Sequence, residues 1–178
     1  MGAIQSVPHR DALPPMHVRL DAGACMPTKR TRGAAGYDLS AVEKGEVAPY
    51  AVAMVHTGVY ASIPHGLFGA IKGRSGLARS GILAFEGVVD SDYRGEICIL
   101  LYNTRGVIFS YCQGQRIGQM VFLPHVELNM RETPELDPTP RGDGGFGSTD
   151  DPSQVTEGLL RSGVAVDEAA TAGRGIHP

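Results

Sequence analysis

Short apolar runs, each about the length of a strand, recur along the chain between residues 16 and 126. Met16-His17-Val18-Arg19-Leu20 alternates apolar and polar positions, the period-two signature of a half-buried strand. Residues 47–63 hold one or two further strands, with a break expected at Thr57-Gly58. Residues 67–71, 82–85, 96–102, 107–109 and 117–126 are additional runs, and Gly, Pro, Asn or Asp separates most of them. No segment before residue 150 keeps a helical period over three turns, and residues 74–80 suffice for only a turn or two of helix. Eight or more short strands predict an all-β domain, a jelly-roll-like β-sandwich or distorted barrel.

Composition agrees with many turns: the 178 residues include 24 Gly and 12 Pro, and Trp is absent. The length allows one domain with a real core. Residues 1–15, with three prolines and no period, read as a flexible leader, and 16–140 as the β core. Residues 141–150 form a glycine-rich arm, and 151–178 a small-residue tail expected to be disordered. Val155, Leu159, Leu160 and Val164 are that tail's one hint of an amphipathic helix. The net charge of −3 argues against nucleic acid as a partner.

Cys25, Cys98 and Cys112 are odd in number and have no zinc-like spacing. They read as free thiols in an intracellular protein, cytoplasmic or nuclear, and Cys98, inside an apolar run, is expected in the core. No apolar stretch is long enough to cross a membrane, and no secretory leader opens the chain. Met1-Gly2-Ala3-Ile4-Gln5-Ser6 fits the N-myristoylation pattern at Gly2, but one acyl chain anchors only marginally, so no membrane partner is expected.

The candidate chemistry begins with the arm, RGDGGFGSTD. Four glycines in ten residues oppose a packed helix or strand. Their N–H groups can close over anions, with Arg141 as a bidentate phosphate donor and Phe146 free to stack on a flat ring. Phosphates with a flat ring mean a nucleotide. On composition alone a flexible linker is the competing reading.

Four more polar, glycine-bearing clusters interrupt the strands: Ala35-Gly36-Tyr37-Asp38-Leu39, Gly73-Arg74-Ser75-Gly76-Leu77-Ala78, the segment 87–95, and Arg116-Ile117-Gly118-Gln119-Met120-Val121-Phe122. The segment 87–95 reads GVVDSDYRG. With the arm, and in this order, they resemble the five motifs of the trimeric dUTPases, over about residues 16–150. The resemblance implies hydrolysis of dUTP to dUMP and pyrophosphate, which keeps uracil out of DNA and supplies dUMP for thymidylate synthesis. It also implies Mg²⁺ on the triphosphate and a homotrimer with exchanged C-terminal arms and sites at the subunit boundaries.

Carried over residue by residue, the resemblance makes Asp90 the base that activates the attacking water. Asp92 ties down its hairpin. Tyr93 packs under the deoxyribose and excludes a ribose hydroxyl. The backbone of Val88 and Val89 reads uracil as a partner base would, and Ala84 and the Cys98 backbone face the same ring. Arg74, Ser75 and Gly76 form the phosphate cluster. Gln119 donates to the α-phosphate, and Arg116 braces the site by pairing with a carboxylate. Asp38 is the magnesium residue, acting through water. In the arm, Arg141, Gly147, Ser148 and Thr149 close on the β- and γ-phosphates, and Phe146 covers the uracil. Gly73 stands where many relatives have Pro, and Gly118 where Ala is usual. Taken singly, most of these residues are equally at home in turns and strands.

Two alternatives stay open. A dCTP deaminase of similar fold needs an acid poised at the base, and after the third cluster Glu96 is the one candidate. A regulatory or binding protein on the same fold is the other. Arg141-Gly142-Asp143 is a tripeptide that adhesion receptors read, here embedded in a nucleotide motif.

Overall fold

The computed structural model describes residues 15–145. The leader up to residue 14, the arm from Phe146 onward and the tail with its amphipathic hint lie outside the described residues. The chain divides into two units, Met1–Leu128 and Asn129–Pro178.

Among its described residues the first unit is all β apart from one short helix, with strands in four antiparallel sheets. β1 (His17–Leu20) pairs with β5 (Val59–Ser62), and β3 (Gly45–Val47) with β10 (Phe109–Tyr111). β4 (Val52–Val55), β9 (Ile99–Asn103) and β7 (Ile82–Ala84) form a three-stranded sheet with β9 in the middle. β2 (Tyr37–Ser40), β11 (Arg116–Pro124), β6 (Leu67–Lys72) and β8 (Gly87–Val89) form the fourth, in that order. Helix α1 (Ser75–Arg79) follows β6. The architecture is the expected jelly-roll-like sandwich, and the ladders do not close into a continuous barrel.

The short apolar runs coincide with most strands, and the departures have local causes. Residues 47–63 contain β4 and β5 and the end of β3, with the break where expected: Gly58 has φ +65°. That angle favours glycine, and a Cβ there would also crowd Ala24 and Val42. β2 and β8 lie inside clusters read as polar. β2 is short and carries Asp38 beside buried Leu39 and Ser40, so its apolar content is too small to register as a run.

Leu39, Val47, Val55, Val59, Ile82, Ile99, Leu101, Ile117 and Met120 are buried in one core fed by all four ladders. Each such side chain contributes about 1.5–3 kcal/mol. Buried Asn103 is fully engaged: its Nδ2 donates to the carbonyls of Val47 (3.1 Å), Ala48 (3.2 Å) and Val107 (2.8 Å). It thereby ties β9 to the loops flanking β3 and β10. The outer face of the β4–β9–β7 sheet is different: Val52, Met54, Leu83, Phe85 and Leu100 are all apolar and all exposed.

Candidate functional site

The site starts from a fault in a ladder. β11 pairs with β2, and the register slips between Arg116 and Gly118, leaving Ile117 as the extra residue. Strict alternation would send Arg116 and Gln119 to opposite faces of the strand. The bulge resets the parity, so Ile117, Gly118 and Met120 are buried while Arg116 and Gln119 share the outer face. Gln119 stands directly opposite Asp38, and Arg116 opposite Ser40. Gly118 packs under Ile99, and a Cβ there would meet Ile99 Cδ1 at 3.1 Å, so a glycine rather than the usual alanine suits this chain.

Asp38 is clasped by two arginines. Arg116 Nη1 donates to Oδ2 at 2.8 Å, and Arg74 Nε lies 3.3 Å from Oδ1. Arg74 also donates from Nη1 to the Arg116 carbonyl at 3.2 Å. The carboxylate that Arg116 was expected to brace is thus Asp38. Gln119 Nε2 donates to the Gly73 carbonyl at 2.9 Å, and its amide lies so close over Gly36 that any Cβ at residue 36 would collide with Oε1. Ser75 and Gly76 open α1 and are exposed. The first, second and fourth clusters therefore meet around one cavity of about 210 Å³. Arg30 lines it as well, so three arginines and one aspartate line the cavity, a charge balance that favours an anion. Arg30 went unnoticed in the sequence, although the basic run Lys29-Arg30-Thr31-Arg32 just before the first cluster is its signal.

The third cluster is elsewhere on the chain. Asp90 is exposed and lines a separate cavity of about 660 Å³ with Val88, Ser91, Asp92, His65 and His125. Neither Arg74 nor Gln119 lines that cavity. Val88 and Val89 belong to β8, which pairs with β6 and is the outer strand of its sheet, so its free edge leaves backbone N–H and C=O groups unpaired. The expected hairpin forms a turn but no ladder. The Tyr93 N–H donates to the Asp90 carbonyl at 3.2 Å, but the returning arm joins β5, with the Ile97 N–H donating to the Val59 carbonyl at 2.8 Å. Asp92 makes no side-chain hydrogen bond among the described residues, and Arg94 ties the turn instead, donating to the Ser91 (2.7 Å) and Tyr93 (2.8 Å) carbonyls.

Tyr93 is half exposed and anchored through its hydroxyl, which donates to the Glu96 carbonyl at 3.0 Å. Its ring lies so close over residue 95 that only glycine fits there. Ala84 ends β7 within van der Waals distance of a Cβ built at Gly73.

Cys98 departs from expectation: it is only partly buried. Its Sγ lies 3.6 Å from His56 Nδ1, and that nitrogen shares a proton with Glu96 Oε2 at 2.7 Å. Burial, then the Glu96 charge, push the Cys98 thiol up to about 11. Burial alone would raise the Glu96 carboxyl, but hydrogen bonds from His56 and the Gly58 N–H outweigh it and hold the group below its ordinary value. The same Glu96 contact raises His56.

In the second unit Arg141 is exposed, and its Nε donates to the Gly144 carbonyl at 2.8 Å. Gly142, with φ +55°, closes a turn by donating to the Thr139 carbonyl at 3.0 Å. Phe146, Gly147, Ser148 and Thr149 lie outside the described residues.

A jelly-roll sandwich with an arginine-lined anion cavity at the end of one sheet, and an aspartate in a second cavity beside a free strand edge, defines a protein built for phosphorylated ligands. The dUTPase family model matches residues 22–150, and the chain belongs to the dUTPase family. The deoxyuridine 5'-triphosphate nucleotidohydrolase of Paramecium bursaria Chlorella virus 1 is 42% identical over 132 residues, covering 74% of this chain and 94% of that protein. Its counterpart in Rhizobium rhizogenes is 42% identical over 151 residues, covering 79% and 97%. Among solved structures, the Staphylococcus bacteriophage 80alpha dUTPase with dUpNHpp superposes with a TM-score of 0.72 at 25% identity, over 76% of this chain and 98% of that one. A mutant dUTPase from phage phi11 of S. aureus, described as coordinating a structural Mg(II) ion, shares the fold with a TM-score of 0.64 at 23% identity, over 68% and 98%.

Proposed function

We propose that this chain hydrolyses dUTP to dUMP and pyrophosphate in sites that three copies of it assemble. One observation carries the reading: the arginine-clasped cavity and the Asp90 cavity are both built, yet separate on one chain. A neighbour must bring the second to the first. The arginines and Gln119 hold the phosphates, Asp90 takes the proton of the attacking water at the α-phosphate, and the free edge of β8 reads uracil through its backbone. Arg141, Phe146, Gly147, Ser148 and Thr149 close over the nucleotide from the third chain.

Two surfaces support the assembly. The exposed apolar face of the β4–β9–β7 sheet is a contiguous patch of the kind that marks an interface. Val126, Leu128 and Met130 alternate with polar residues and are 81%, 75% and 90% exposed, a strand pattern suited to pairing on another chain.

Magnesium fits one role here. Asp38 Oδ2 accepts from Arg116 and Oδ1 is ion-paired with Arg74, so both oxygens already face cations and Asp38 suits a water of a hydrated ion rather than direct ligation. Bound with the triphosphate, the ion would supply charge neutralisation there. The three free cysteines support an intracellular protein. No helix among the described residues is long and apolar enough to cross a membrane.

The deaminase reading finds no support at Glu96, which pairs with His56 and the Gly58 N–H and lines neither the arginine cavity nor the Asp90 cavity. Pyrophosphate release from dUTP, dCTP, dTTP and UTP, with and without Mg²⁺, tests the proposal. The expected result is release from dUTP alone, enhanced by Mg²⁺, and comparable release from dTTP or UTP would overturn it. A second expectation concerns the sugar. Tyr93→Ala removes a ring held in place by the Glu96 carbonyl and should narrow the dUTP/UTP ratio of kcat/KM while weakening both. An unchanged ratio would place sugar selection elsewhere.

A further inference from the structure

β4 and β9 pair as far as Val55 and Ile99, and the same register carried one residue further sets His56 opposite Cys98. Both fall on the outer face, with Met54 and Leu100, and Glu96 is two residues before Cys98 on the same side. Three different ligand atoms converge there, His56 Nδ1, Glu96 Oε2 and Cys98 Sγ, all within 4.8 Å of one another. The second Glu96 oxygen is held by the Gly58 N–H at 2.7 Å, which turns Oε2 toward the imidazole. Outer hydrogen bonds of this kind orient the ligands of real metal centres.

The geometry points to a metal site of the zinc class: one borderline-soft divalent cation bound by His56 Nδ1, Glu96 Oε2 and Cys98 Sγ, with a fourth position left for a water. Imidazole, carboxylate and thiolate together suit zinc and disfavour magnesium, which takes oxygen ligands. A tetrahedral ion with bonds of about 2.0–2.3 Å sets its ligand atoms roughly 3.3–3.7 Å apart. The Sγ–Nδ1 separation of 3.6 Å already has that value. The Nδ1–Oε2 pair has only to open by about 0.6 Å as the ion replaces the proton between them. The thiol proton also leaves to solvent, and nothing is oxidised or reduced. The half-exposed His56 ring gives the ion its way in. Once bound, the ion would fasten the end of β4 to the segment whose Glu96 carbonyl anchors Tyr93.

The test is a titration of the full-length, chelator-stripped protein with Co²⁺ and then Zn²⁺. We expect one Co²⁺ per chain, a thiolate-to-cobalt charge-transfer band in the near ultraviolet, and displacement of that band by Zn²⁺. The band should survive in the Cys25→Ser/Cys112→Ser double variant and vanish in Cys98→Ser. His56→Ala, whose ring is exposed, should weaken Zn²⁺ by more than about 100-fold, beyond the loss of an outer partner alone. That variant decides the matter by itself if Cys98→Ser does not fold. Absence of the band in the parent protein, its survival in Cys98→Ser, or an unchanged Zn²⁺ affinity in His56→Ala would overturn the site.

Discussion

Replacing Asp90 by Asn lowers kcat for dUTP by about 10²–10⁴-fold, the range expected for loss of a general base. The substitution keeps the shape of an exposed side chain at the end of β8 and removes only its capacity to take a proton. The arginines and Gln119 that would grip the phosphates line a different cavity, so the dissociation constant of a non-hydrolysable dUTP analogue should stay nearly constant. Turnover and analogue binding measured on the same preparation separate the two effects. A variant that turns over at close to the parental rate would remove Asp90 from the chemistry.

The second large effect follows from separating the base and the arm. Chains ending at Pro140 lose Arg141 and Phe146 and should fall by about 10²-fold or more in kcat/KM, since stacking on an aromatic alone accounts for roughly 1–3 kcal/mol. Asp90→Asn chains should be nearly inactive for a different reason, the loss of the base. Refolded together, the two chains should regain activity that neither shows alone, because some sites draw Asp90 from a truncated chain and the arm from a full-length one. Pro134, Pro138 and Pro140 make the intervening segment a stiff spacer suited to reaching a neighbour. If mixed trimers form and stay inactive, the arm closes over its own chain's base and the three-chain site is wrong.

Short apolar runs located most strands because each strand sends side chains into the core and Gly, Pro, Asn or Asp separates most of the runs. The break at Gly58 was legible because the turn needs a residue tolerant of positive φ. Three of the five clusters, the first, second and fourth, meet around one arginine-lined cavity, and they were legible because they concentrate glycine, arginine and small polar residues. What stayed hidden depended on three dimensions. The Ile117 bulge reverses the facing of Arg116 relative to Gln119, and no local pattern announces it. Val52, Met54 and Leu100 sit in runs beside core residues, so their exposure appears only once the sheet is seen to lack a cover. Cys98 looked like core for the same reason. Its contact with His56 joins residues 42 positions apart.

Asp38 makes the anion cavity its own counter-ion store. While no nucleotide is bound, the carboxylate occupies the guanidiniums of Arg74 and Arg116 and keeps two cations from repelling each other at close range. On the proposed function, a triphosphate entering here would meet Arg74 and Arg116 already paired and would have to exchange with Asp38 for them, so part of its gain would be the difference between phosphate and carboxylate. The same exchange would run backwards when pyrophosphate leaves: Asp38 stands ready to reclaim both arginines, and a polyanion that would otherwise cling to them would have a competitor fixed in place.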